Sequence, residues 1–253
     1  MRVRRTFAAV GGGLVTALLV AGCGSSNAAE EDDTPERKAF SFGGRILTIE
    51  ADGSEIELAP ADVEDVEVTR WFTGWTALGE SPKVTWGMKG STLTFRTECD
   101  ALINDCAAKH AVKVPRGVAV VVENDNGKVT ASGFGTSLKL RSDNGKVVVR
   151  DSSGALELKS DNGEVVAEAI GSAQVRADSE NGAVRLAFTE VPDRVEAGSD
   201  NGEVRIELPR ATYRVSAGSD NGDADVSVPR SDTSGHVVEA HSDNGEVTVR
   251  SAN

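Results

Sequence analysis

The stretch SDNGEV stands at 160–165, at 199–204 and again at 242–247. Four close variants accompany it: NDNGKV at 124–129, SDNGKV at 142–147, SENGAV at 179–184 and SDNGDA at 219–224. The glycines of these copies, Gly127, Gly145, Gly163, Gly182, Gly202, Gly222 and Gly245, are spaced by 18, 18, 19, 20, 20 and 23 residues. A near-constant period of this kind marks a repeat architecture. Aligned on the glycine, the repeats fall into columns. Seven residues before it stand Val120, Leu138, Leu156, Val175, Val195, Val215 and Val238; five before it, Val122, Leu140, Leu158, Ala177, Ala197, Ala217 and Ala240. Two after it come Val129, Val147, Val165, Val184, Val204, Ala224 and Val247, and apolar residues recur four after it. Residues between these columns, such as Lys139, Arg141, Glu157 and Arg205, are largely polar. Apolar side chains at alternate positions describe strands with one buried face, and the valine enrichment favours strand over helix.

Each repeat therefore reads as a strand, an Asp-Asn-Gly bend, a second strand and a shorter Gly/Ser/Pro bend such as Asp151-Ser152-Ser153-Gly154. Asn-Gly tolerates a positive φ, which accounts for its use at a tight bend. A serine three residues before the glycine (Ser142, Ser160, Ser179, Ser199, Ser219, Ser242, with Asn124 in the first copy) faces inward, where a hydroxyl satisfies nearby backbone. Two all-β folds fit this register: a β-solenoid with coils of 18–20 residues, and an antiparallel meander of Asn-Gly hairpins. The solenoid is preferred. Identical asparagines stacked about 4.8 Å apart form hydrogen-bonded ladders, whereas turns on separate hairpins gain nothing from identity. Upstream, Ile46, Thr48, Ile56, Leu58, Val66 and Val68 alternate around Asp52-Gly53-Ser54, which extends the coils back into 40–70.

The first 22 residues have the form of an export signal: Arg2, Arg4 and Arg5, then an apolar stretch from Phe7 to Gly22. Val20-Ala21-Gly22-Cys23 resembles the lipobox of bacterial lipoproteins, which implies lipidation of Cys23. Arg4-Arg5-Thr6-Phe7 also resembles the start of a twin-arginine signal, so the export route stays open. Removal of the signal leaves 24 basic residues against 40 acidic ones, a net charge of −16. Such a chain is repelled by nucleic acid and by anionic headgroups, and it needs a covalent anchor to stay at a membrane. Residues 23–39, with the acidic run Glu30-Glu31-Asp32-Asp33, read as a disordered tether spanning roughly 20 Å. Residues 40–253 read as one domain, with 40–117 irregular and 118–253 regular. Outside the cytoplasm Cys99 and Cys106 read as a disulfide. The rival is a metal site completed by His110, which lacks a clear fourth ligand.

The SDNG stack, the Cys99/Cys106 pair and the run VKVPRGVAV (112–120) together resemble the bacterial putative-adhesin family of β-strand-repeat lipoproteins, domains of unknown function. The resemblance spans 40–253. It implies a β-solenoid and a cell-surface binding role, and it brings no catalytic motif.

Three features are candidates for function. The acids of the bends, Asp125, Asp143, Asp161, Glu180, Asp200, Asp220 and Asp243, stack at one corner of a solenoid. They are either hydrated turn residues or a rail for a hard cation such as Ca²⁺, and each neighbouring pair repels by about 0.9 kcal/mol in water. Trp71, Trp75 and Trp86 either plug one end of the stack or present a platform for sugar rings. The last strand, Val247 to Arg250, has no element after it and reads as an open edge for self-association or strand addition. Catalysis is disfavoured, because repeats of near-constant length leave little material for a cleft and no serine sits in a nucleophile elbow. The sequence thus favours a non-catalytic, lipid-anchored binding scaffold on the outer face of the cytoplasmic membrane, partnered by cell-wall glycan or a surface protein. A polysaccharide lyase or glycosidase on a β-helix is the alternative, and an envelope-stress sensor is a third.

Overall fold

The computed structural model describes residues 35–99 and 101–252, which form 21 strands and no helix. Seven strands precede the repeats: β1 (Glu36–Phe40), β2 (Ile46–Ala51), β3 (Glu55–Ala61), β4 (Val66–Gly79), β5 (Lys83–Lys89), β6 (Thr92–Glu98) and β7 (Ala101–Pro115). The first four repeats supply β8 (Ala119–Asn124), β9 (Val129–Ser132), β10 (Leu138–Ser142), β11 (Val147–Arg150), β12 (Leu156–Ser160), β13 (Val165–Ile170), β14 (Gln174–Ser179) and β15 (Val184–Phe188). The last three supply β16 (Arg194–Ser199), β17 (Val204–Leu208), β18 (Arg214–Ser219), β19 (Ala224–Ser227), β20 (Val237–Ser242) and β21 (Val247–Ser251).

These strands make a β-solenoid of two facing sheets. Each repeat gives its first strand to a ten-stranded sheet, turns at Asn-Gly, and gives its second strand to an eleven-stranded one. Repeat strands pair only in parallel, and like stacks on like: Leu138 lies beside Val120 and Leu156, and Val147 beside Val129 and Val165. The meander is therefore excluded for the repeats. The apolar columns point between the sheets, and one continuous core runs from Phe40 to Val249.

The bend columns are held by three ladders. Asn144 Nδ2 donates to Asn126 Oδ1 at 3.0 Å, and the same bond repeats from Asn162, Asn181, Asn201, Asn244 and Asn221 to the asparagine of the adjoining coil. The inward serines donate to glycine carbonyls one coil away, as Ser160 does to Gly145 at 2.8 Å. Backbone amides of the bends donate to the neighbouring bend as well, so pairing continues around the corner. The glycines have a different cause from the one the sequence suggested. Only Gly127 has a left-handed φ, +117°. At the other six the constraint is contact: a Cβ on Gly163 would lie 2.3 Å from the carbonyl oxygen of Gly145, and one on Gly145 would lie 1.9 Å from that of Gly127. No side chain fits where bends stack this closely.

Chain order and stacking order part company at both ends. In the ten-stranded sheet the order is β18-β20-β16-β14-β12-β10-β8-β2-β6-β5. The last repeat is threaded between the fifth and the sixth, with β20 paired to both β16 and β18, and β21 to both β17 and β19. The open edge expected at Val247–Arg250 is thus an interior strand, and the true edge is the sixth repeat, β18 and β19. The buried Tyr213 sits at this crossover. Its hydroxyl donates to Pro209 O at 2.9 Å, and its backbone bridges Arg230. At the other end, β2 and β3 lie between the coil formed by β6 and β7 and the coil formed by β8 and β9. There β5 and β4 add antiparallel strands, and β1 pairs with β4. Part of the expected tether is therefore structured, since Glu36–Phe40 belongs to a sheet; the remainder, with Cys23 and the export signal, lies outside the described residues.

Candidate functional site

The acid column is not uniform. In its lower part the residue four before the motif glycine is Arg141 or Lys159, on the outward face beside the acids. Arg141 lies 3.1 Å from Asp143 and 2.9 Å from Asp161, and Lys159 lies 3.1 Å from Asp161 and 3.2 Å from Glu180. Hydrogen bonds to Asp143 and to Asp161, respectively, hold the Arg141 and Lys159 ionisations above their ordinary ranges. This segment carries its own cations. In the upper part the same position is Gly198, Gly218 and His241, and among the described residues no lysine or arginine forms an ion pair with Asp200, Asp220 or Asp243. His241 faces two of these acids, with Nε2 3.2 Å from Asp243 Oδ1 and 3.8 Å from Asp220 Oδ1. His241 stands two residues before Asp243 in the sequence. The approach of Asp220 depends on the out-of-order stacking and has no local signal.

The same outer face carries a groove of about 440 Å³ across the first strands of successive repeats. Its trough follows from a column of small residues, Ala119, Ser137 and Ala155, eight before the motif glycines. Beside the trough run Lys139–Glu157, paired at 2.7 Å, and Arg176–Glu196, paired at 3.0 Å. Ile46, 54% exposed, closes one end. A second hollow lies over Gly198 and Gly218 beside His241. Among the described residues, the carboxylates displaced in their ionisation, Glu80, Glu164 and Glu196, are all held low, chiefly by hydrogen bonds from Lys83, Lys146 and Arg194. A general acid requires the opposite displacement.

The tryptophans divide between two places in the fold. Trp86 packs against the core, edge-on to Phe40 at 6.0 Å and under the Arg70 guanidinium at 4.5 Å, and so plugs the N-terminal end. Trp71, 5.8 Å from Lys109 Nζ, and Trp75, 55% exposed, lie on the face of β4 turned away from the core, Trp75 where β4 and β7 extend as a two-stranded ribbon. They form no single platform with Trp86. Cys99 and Cys106 are joined in a disulfide with Cα atoms 6.6 Å apart, which ties the residue just after β6 to the middle of β7, where Cys106 lies opposite Gly74. His110 packs in the core, and the two cysteines that would have joined it at a metal are bonded to each other. It is fully buried and stacked on Phe95 at 3.9 Å, with no hydrogen-bond partner for either ring nitrogen among the described residues. Burial, aided by the Arg70 charge, lowers its pKa from 6.5 to about 3.

Comparison with known proteins adds the following. The family model described as Toastrack DUF4097 matches residues 45–251. Among solved structures, one described as a putative adhesin from Bacteroides fragilis superposes with a TM-score of 0.52 at 14% identity, covering 87% of this chain and 98% of its own. Another, a putative adhesin from Parabacteroides merdae, gives 0.45 at 12% identity, covering 87% and 98%. Similarity at this level speaks for the fold alone. No curated protein matches the chain.

Proposed function

Since this chain belongs to the Toastrack DUF4097 family, we propose that it is a non-catalytic binding scaffold of the cell envelope, with the outer face of its ten-stranded sheet as the binding surface. The observation that carries this reading is the groove from Ile46 to Glu196. It crosses successive coils, so over the first three repeats it presents the same small-residue trough at regular steps, before Gln174 and Arg194 take that position in the next two. A repeating surface suits a repeating or extended ligand, such as a wall glycan or an extended peptide. The polar ladders beside the trough supply hydrogen bonds, and the trough supplies contact area. A surface role also fits the adhesin name carried by the Bacteroides fragilis relative.

Anchorage is part of the same proposal. Residues 1–22 act as the export signal, Cys23 is lipidated, and the domain stands on the outer face of the cytoplasmic membrane. The experiment is a pull-down of envelope glycans and proteins by the mature chain and by Ala155→Arg, which fills the trough without touching the core. Loss of capture in the variant supports the reading, and equal capture refutes it. Metabolic labelling with a fatty acid, absent in Cys23→Ser, tests the anchor separately.

A further inference from the structure

We propose that Asp220, His241 and Asp243 form a divalent transition-metal site that staples the edge coil to the coil threaded beneath it. Each of the three offers one ligand atom, and these atoms lie within 4.8 Å of one another. The imidazole nitrogen stands 3.2 Å and 3.8 Å from the two carboxylate oxygens. Nitrogen and oxygen ligands about 2.0–2.2 Å from a tetrahedral ion are themselves roughly 3.4 Å apart, so the cluster needs only a small contraction to receive one.

The backbone is already arranged for it. His241 and Asp243 are two residues apart, and β20 is paired on both sides, with His241 in register with Gly198 and Gly218. Glycine on each flank leaves the imidazole uncovered. Asp220 comes from the adjoining bend, tied to that of Asp243 by Asn221 Nδ2, which donates to Asp243 O at 3.3 Å and to Asn244 Oδ1 at 3.1 Å.

Charge balance within the same column is the independent argument. Where Arg141 and Lys159 occupy the outward position, the stacked acids are compensated by protein cations. In the upper coils that position holds glycine or histidine, and Asp200, Asp243 and Asp220 stack without such a cation among the described residues. The nearby Asp178 and Glu239 are already engaged by Arg176 and Arg194. An exogenous cation completes the pattern. An imidazole in the ligand set selects Zn²⁺, Ni²⁺ or Cu²⁺ over Ca²⁺, which prefers oxygen ligands throughout. All three side chains are exposed, so water fills the remaining coordination positions.

The test is calorimetric titration of the chelator-treated full chain with Zn²⁺, using His241→Ala as reference so that any ion held elsewhere cancels. We expect one His241-dependent Zn²⁺ per chain, affinity weakened at least ten-fold in Asp220→Asn, and no change in His236→Ala. Zn²⁺ should also slow hydrogen exchange across Arg214–Ser227, which millimolar Ca²⁺ should not do. Zn²⁺ binding that is equal in wild type and His241→Ala, or absent from both, overturns the proposal. So does Zn²⁺ binding that leaves exchange at the edge coil unchanged.

Discussion

A methyl group on Gly163 has nowhere to go. It would meet the Gly145 carbonyl, which itself accepts from Ser160, at less than contact distance. We predict that Gly163→Ala lowers stability by about 1–3 kcal/mol or more, the range for overpacking, measured by denaturant unfolding. The same change at Gly53, where an added Cβ meets nothing, should cost less than ~1 kcal/mol. The sequence identified these glycines correctly but suggested the wrong cause, because a left-handed turn and a close backbone approach select the same residue. The asparagines were legible for the right reason, since only stacking rewards seven identical amides. His110 makes a second prediction. Its folded pKa, near 3, lies below its ordinary 6.5, so in acid the unfolded chain takes a proton that the native one refuses. Its contribution is fully present above pH 6.5 and is lost as pH falls toward 3, at up to about 1.4 kcal/mol per pH unit. Replacing it with Phe, which keeps the stack on Phe95, should flatten the stability profile between pH 7 and 5. An unchanged profile would count against this account.

Among the elements, the alternation that defines β8 to β21 was readable from the columns, but the order of stacking was not. Columns that match so well make the coils interchangeable, and nothing in a valine says which valine will lie above it. Two local marks are intelligible afterwards. Ala224 replaces valine in the sixth repeat, the only repeat paired on one side, and the longest spacing, 23, precedes the last glycine, where the chain must double back. The groove was equally hidden, since its trough is a column of Ala and Ser that means nothing until the strands are stacked. At the crossover, Tyr213→Ala should cost about 3–5 kcal/mol, as for other large buried aromatics, whereas Tyr213→Phe should cost only about 1 kcal/mol for the lost bond to Pro209. Thermal or chemical denaturation separates the two. At the opposite end, Cys106→Ser removes a short covalent loop and should cost about 2.5 kcal/mol, with loosened amide protection in β6 and β7.

For the whole molecule, stability should not decline smoothly toward the C-terminus. Within the repeats, hydrogen exchange is expected to be fastest in β18 and β19, paired on one side only, and slower in β20 and β21, although these come later in the chain. Fastest exchange in β21 would show that the threaded coil does not hold in solution.

The threaded coil also bears on how the fold resists force. In an ordinary stack, tension on the last coil peels off one ladder at a time. Here a load applied through Ser251 falls on a strand gripped by β17 and β19 together, and both ladders must shear at once before the chain yields. Single-molecule stretching should register such a clasp as a high first rupture.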